Sequence, residues 1–257
     1  MLGMHMTHDI DHLGIKDHYL DGSIIRFACY RAYGVMRGRV SLRTFSVVMG
    51  EMLKSLTLPH YDSWDCLDEW LALEDASGIR SAWFVACRPG RGISYSTRKA
   101  RVVVDRLRRH GCIVGLHSQC RDRLDLLPQE LEEFSSVYNV PLPVPVRMHY
   151  LACSPGHTER MRACRDIVSY DSSVLDGTRL SSQRDFERPI NIMEGNLFSP
   201  LHKQSTMTDA KQKTLRLLRV AKEQRRDVVL DFHQRSLSRC LPIEREYILW
   251  LYERMTS

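Results

Sequence analysis

Residues 96–117 read STRKARVVVDRLRRHGCIVGLH, a polar-faced helix that stops at Gly111 and hands over to a short apolar run ending in His117. Glycine just past the last helical turn is a natural terminator, because it adopts the left-handed conformation without steric cost. The same order recurs on both sides of this stretch. SWDCLDEWLALEDAS (63–77) spaces Trp64, Leu67 and Leu71 as one helical face, with Ser63 as the expected N-cap. It ends at Gly78 and feeds IRSAWFVAC (79–87). PQELEEFSSVYN precedes VPVRMHY (144–150), HTERMRACRD precedes IVSYDSS (167–173), and TDAKQKTLRLLRVAKEQRR precedes DVVLDFH (227–233). With the opening MHMTHDI (4–10) and a weaker candidate, RPINIM (188–193), about seven strands are separated by helices. That alternation predicts an α/β fold with a parallel sheet or barrel. Residues 20–60 fit the scheme poorly and read as an insertion of turns and helix.

A chain of 257 residues, 43% hydrophobic and 26% charged, is long enough for one sizeable core and needs no second domain. Its longest apolar runs are far too short to cross a bilayer, and MLGMHMTHDIDH has neither the basic start nor the apolar centre of a signal peptide. A cytoplasmic protein is expected. The eight cysteines contain no C-x-x-C pair and sit mostly among apolar neighbours, which argues against a disulfide or zinc-finger framework. The net charge of +6 lies largely on solvated helix faces and lacks interleaved stacking aromatics, so nucleic acid is not an expected partner. An anionic substrate or a nearby membrane surface would suit this charge.

Four proposed strands deliver polar residues as their apolar runs finish: Asp9 and Asp11, His117, Arg147 with His149, and His233. In parallel α/β folds these strand ends converge on one rim, where active sites are built. A single histidine is most often structural, but recurrence at the same rim position points to a shared site. His5, His18, His60, His110, His157 and His202 gain nothing from this pattern, whereas His12 is close enough to Asp11 to line the site. Asp9 and Asp11 alternate around Ile10, so a regular strand would point both the same way. Two such carboxylates share either a proton or a cation, and a divalent metal would keep both ionised.

THDID, GLHSQ, VRMHYL, YDSS and VLDFH, in this order, resemble the polysaccharide deacetylase family, the NodB-homology domain of carbohydrate esterase family 4. The resemblance spans residues 4 to about 236 apart from the insertion, and is nearest a divergent branch associated with bacterial surface-polysaccharide biosynthesis. It implies one catalytic domain over residues 1–257, folded as a distorted (β/α) barrel of about seven parallel strands with outer helices. It also implies metal-assisted removal of an N-acetyl group from an amino sugar in a polysaccharide or its lipid- or nucleotide-linked precursor. The roles it suggests are Asp9 as general base, Arg147 as the group orienting it, and His233 as the acid that protonates the leaving amine. Asp11 and His117 match metal ligands, Ser118 lies beside them, and Tyr150 offers its backbone N–H to the oxyanion; Asp171 in YDSS is expected either to support the wall near the substrate or to cap a helix or strand.

One departure matters. Where the family places its second metal histidine this chain has Arg121, whose guanidinium stays protonated and cannot ligate. His149 is the expected replacement, completing Asp11, His117 and His149 around zinc, with cobalt, nickel or iron also compatible with the donor set. The alternatives are a catalytically inactive carbohydrate-binding barrel, or a metal-free amidohydrolase acting on another C–N bond. A carbohydrate is the expected partner, with peripheral membrane association if the substrate is lipid-linked.

Overall fold

The computed structural model describes residues 4–19, 21–121, 123–198 and 206–256. In chain order it runs β1 (Met4–Ile10), α1 (Ser23–Met36), α2 (Leu42–Thr57), α3 (Leu67–Ser77), β2 (Ala82–Val85), α4 (Thr97–Arg109) and β3 (Ile113–Ser118). It continues with α5 (Leu127–Tyr138), β4 (Val144–Met148), α6 (His157–Ala163), β5 (Val168–Asp171), β6 (Ile192–Met193), α7 (Glu194–Phe198), α8 (Met207–Gln224), β7 (Val228–His233) and α9 (Pro242–Thr256). Seven strands form one sheet in the order β5-β4-β3-β2-β1-β7-β6. All neighbouring pairs are parallel. The sheet curls into a distorted, incompletely closed barrel surrounded by helices.

Side-chain alternation assigns each strand a face for the helices and a face for the barrel interior. On β1, Met6 and Ile10 join the main core beneath the helices, with Trp70, Trp83, Phe134 and Tyr247 among its largest members. His8 shares that side, between Trp70 and Trp83, with its Nε2 3.2 Å from Glu74. Thr7 and Asp9 alternate with these residues and face inward. The interior holds a small apolar cluster of Ala82, Phe84 and Tyr170, and beside it the Arg147 side chain, whose guanidinium lies 4.2 Å from the Phe84 ring centroid. Close strand approach is built in at Gly115, where a Cβ would meet the Pro145 carbonyl oxygen at 2.6 Å.

The helix ends follow their sequence signals at most positions. The Ser96 hydroxyl accepts from Lys99 N at the start of α4. Thr206 and Asp209 form a reciprocal capping box on α8. Gly78 closes α3 with φ 67°. Ser63 is a correction: α3 begins at Leu67 with Cys66 as its cap residue, and the Ser63 hydroxyl is engaged with Ser55 and Cys240 instead. A turn at residues 62–65 thus precedes the helix, with Trp64 N held by the Asp62 carboxylate. Segment 20–60 is more regular than expected, forming the hairpin α1–α2. The weak strand in RPINIM shrinks to Ile192–Met193.

Candidate active site

Strand register assembles the rim. Asp9 on β1 lies beside His233 on β7, and His117 on β3 lies beside Arg147 on β4. Together with Asp11, His12, His149 and Tyr150, Asp9, His117 and His233 line one cleft of ≈ 1060 Å³. Its opposite wall comes from α1, through Phe27 and Tyr30.

The two N-terminal carboxylates do different things, although they alternate as expected. Asp9 Oδ1 accepts from Arg147 Nη1 at 2.8 Å, and both side chains are buried. The same nitrogen also donates to Asp231, while Nη2 donates to Thr7 Oγ1 and Ser172 Oγ and Nε to the Ser172 carbonyl. A guanidinium with every nitrogen satisfied is a fixed cation, so it orients the Asp9 carboxylate. Burial pushes the Asp231 carboxyl up, with Asp9 adding to the rise and Arg147 opposing it.

Asp11 belongs to a second cluster. Its Oδ1 is 3.1 Å from His117 Nε2 and 3.5 Å from His149 Nδ1, and the two ring nitrogens are 2.8 Å apart. Ligands 2.0–2.1 Å from one ion at tetrahedral or octahedral angles would stand roughly 2.8–3.4 Å from each other. The three atoms are therefore spaced as a face of a metal polyhedron. Asp11 Oδ1 is buried without a hydrogen-bond partner among the described residues. On the far side of the His149 ring, Nε2 meets the Arg91 carbonyl at 2.9 Å, which places its proton there and leaves the Nδ1 lone pair for a cation. Burial pulls the His149 pKa down, favouring that neutral form. Burial alone would also lower His117, yet Asp9 and Asp11 carry it upward. The residues present fit a divalent metal.

The backbone holds His149 at a cost. Tyr150 and Leu151 follow β4 with φ 58° and 50°, a conformation costing about 1–3 kcal/mol at each non-glycine residue. Gly92 (φ 81°) packs against this turn so closely that a Cβ would lie 2.4 Å from Tyr150 Oη and 3.2 Å from His149 Nε2.

His233 completes the rim. Its Nδ1 is 2.5 Å from Glu194 Oε1, which also accepts from the His233 backbone N–H and the Ser236 hydroxyl. Its Nε2 faces Asp11 Oδ2 at 3.4 Å. Burial opposes the charged ring, but Glu194 and Asp11 outweigh it and raise the His233 pKa well above that of a free imidazole.

Other expected residues fall elsewhere. The Ser118 hydroxyl is buried and donates to Glu130 at 2.6 Å, away from the cleft. Asp171 is also buried; its carboxylate holds Ser173 N and Oγ and meets His157 Nε2 at 2.9 Å. It reaches the cleft only through Ser173, which lines it. Arg121 is exposed, with φ 53°, and does not line the cleft. His12 lines it and meets His18 at 2.6 Å, and His202 lies outside the described residues. Glu194 and Asp231 were not singled out by the sequence. Glu194 directly follows the run INIM, so the strand-end rule applied to that weak strand would have found it. Asp231 shares the strand face of His233 two residues on, a buried acid inside an otherwise apolar run.

No protein-family model matches the sequence, and no curated protein matches it. Among solved structures, a Mycobacterium smegmatis protein described as a polysaccharide deacetylase superposes with a TM-score of 0.56 at 14% identity, over 97% of this chain and 83% of that one. A peptidoglycan deacetylase from Bdellovibrio bacteriovorus gives a TM-score of 0.42 at 17% identity, over 73% of this chain and 45% of that one. The fold of this chain is that of the polysaccharide deacetylase barrel.

Proposed function

We propose that the protein is a metal-assisted hydrolase that removes the N-acetyl group from an amino sugar in a surface polysaccharide or its precursor. The observation that carries this reading is the meeting of Asp11, His117 and His149, whose ligating atoms all lie within 4.8 Å of one another, beside the Asp9–Arg147 pair. A divalent ion on those three residues, with zinc the expected species and cobalt, nickel or iron also suited, would supply Lewis-acid activation of water and of the acetyl carbonyl. Asp9, held by Arg147, accepts the proton of the attacking water. His233 carries its proton on Nε2, facing the cleft, while Glu194 holds Nδ1; it delivers that proton to the departing nitrogen. The backbone N–H of Tyr150 stabilises the developing oxyanion. Water and amide are consumed, and acetate and a free amine leave.

A sugar-binding barrel without catalysis draws its support from Arg121, the residue standing where a ligand is expected. With His149 beside His117 that argument weakens, since a third donor is available from another strand. Acetate release from N-acetylglucosamine oligosaccharides is the test. Wild-type protein should release acetate, and Asp9→Asn should lose about 10²–10⁴-fold in rate, the range for a general base. No acetate from any N-acetylated sugar would exclude the reading, and a different C–N product would favour the amidohydrolase alternative.

The hairpin beside the cleft supports a lipid-linked form of the substrate. Met36 and Leu42, 77% and 72% exposed, stand at the hairpin tip with the exposed Arg37 and Arg43 beside them, and Ile25, 68% exposed, lies near the other end of α1. Apolar side chains interspersed with cations suit the interface of an anionic bilayer. No helix among the described residues is long and apolar enough to cross a membrane, so this attachment would be peripheral.

A further inference from the structure

The chemistry at Asp9, Asp11 and His233 leaves one wall of the cleft without a role. Arg235, two residues beyond the end of β7, lines this wall, and its guanidinium lies 4.9 Å from the centroid of the buried Trp64 ring. Among the described residues no carboxylate or carbonyl accepts a hydrogen bond from that guanidinium. Burial lowers its pKa, while Asp11 and Glu194 act in the opposite sense, so it sits within electrostatic reach of the reaction centre. Asp11 is already engaged with the histidines and Glu194 with His233 and Ser236.

Two further arginines come from α1. Arg31 lines the cleft with its Nη2 3.6 Å from Glu244, while its Nε is buried without a partner. Glu244 is the acid facing this wall; burial raises its pKa against the pull of Arg31, and its Oε2 is also unpartnered. Arg26 stands nearer solvent and donates to Ser23 Oγ and the Asp21 carbonyl.

Dehydrating a guanidinium without giving it acceptors is unfavourable, so unused donors in a cleft mark a place where a ligand supplies them. An arginine fork matches the two oxygens of a phosphate or a carboxylate, and an aromatic ring beneath the guanidinium limits its freedom before the ligand arrives. The cleft, at ≈ 1060 Å³, is at the upper end of the range for small-molecule sites, about 300–1,000 Å³. It has room for a substituent beyond the acetamido group.

We propose that Arg235 and Arg31 form an oxyanion subsite, and that the amino sugar handled here carries a phosphoryl or carboxylate group bound there. The inference rests on the deacetylase reading and specifies its substrate. Nothing in acetate release itself requires these arginines; they would select which acetylated sugar enters.

The test uses deacetylated products, so that binding is read without turnover. Calorimetric titration of the protein with glucosamine, glucosamine 1-phosphate and muramic acid should give at least about tenfold tighter binding for an anionic sugar, the equivalent of 1.4 kcal/mol. The tighter of the two anions identifies phosphoryl or carboxylate as the natural group. Arg235→Gln should bring that affinity down to the level of glucosamine, and Arg235→Lys should restore part of it. Equal affinity for all three ligands overturns the proposal, as does an Arg235→Gln protein that keeps the wild-type preference. If Arg235→Gln does not fold, the ranking in wild-type protein and in Arg31→Gln decides. Acetate release is assayed in parallel on the acetylated counterparts: its absence for all of them overturns the deacetylase reading, whereas its presence without anion preference overturns the subsite alone.

Discussion

At the scale of single residues, the site divides one run of sequence between two tasks. Asp9 and Asp11 are separated only by Ile10, yet Asp9 is held by a guanidinium while Asp11 faces imidazoles. The division follows from position: Asp9 lies within β1 and reaches into the barrel, where Arg147 waits, while Asp11 stands just beyond the strand and turns along the rim. Arg121 is exposed, whereas His149, just past the end of β4, stands beside His117 and Asp11. This makes a direct comparison available. His149→Ala should weaken zinc binding by at least about tenfold, the lower end of the effect of losing even a supporting group of a metal site. Arg121→Ala should leave zinc binding as it is, and calorimetric zinc titration of both variants checks the pair. His149 could be read in the sequence because it ends an obvious apolar run. Glu194 carries the same signal more faintly, because the strand before it is only two residues long.

At the scale of elements, the strand–helix alternation was legible because glycines and capping hydroxyls mark the boundaries and because a strand buried on both faces reads as an apolar run. What escaped was structure set by tertiary contact. Helix α9 buries Tyr247, Ile248, Leu251 and Tyr252 and shows no narrow apolar stripe, so its periodicity carries little signal. Helix α6 is tied to the sheet by His157 at its first turn, through the contact with Asp171 at the end of β5. Burial opposes the charged imidazole, but the Asp171 hydrogen bond raises its pKa to about 9. A folded-state pKa above the unfolded value of about 6.5 means that the charged pair contributes fully below pH 6.5 and is lost as pH rises through 9. The stability difference between wild type and His157→Asn should therefore be largest near pH 6 and shrink toward pH 10, as measured by denaturant unfolding across that range. A difference that is constant with pH would show that the pair is not charged in the native state.

For the whole molecule, one parallel sheet gathers residues separated by more than two hundred positions, from Asp9 to His233, onto a single rim. The sequence carried that convergence because the candidate residues fall at, or within one residue of, the ends of their strands. The role of the α1–α2 hairpin was not visible: α1 forms a wall of the cleft, and both helices expose apolar side chains outward. If these side chains meet a bilayer, the protein should sediment with vesicles containing anionic lipid and much less with neutral phosphatidylcholine vesicles. Met36→Asp with Leu42→Asp should abolish that sedimentation while the protein stays folded by circular dichroism.

In the proposed mechanism a cation held by Asp11, His117 and His149 drives amide hydrolysis at this rim. Acetate release from an N-acetylated amino sugar, followed through chelation and zinc restoration in one sample, is the decisive assay. Activity should be lost with the metal and return with about one equivalent of zinc per chain. Release that continues unchanged in thoroughly chelated protein would rule such a cation out.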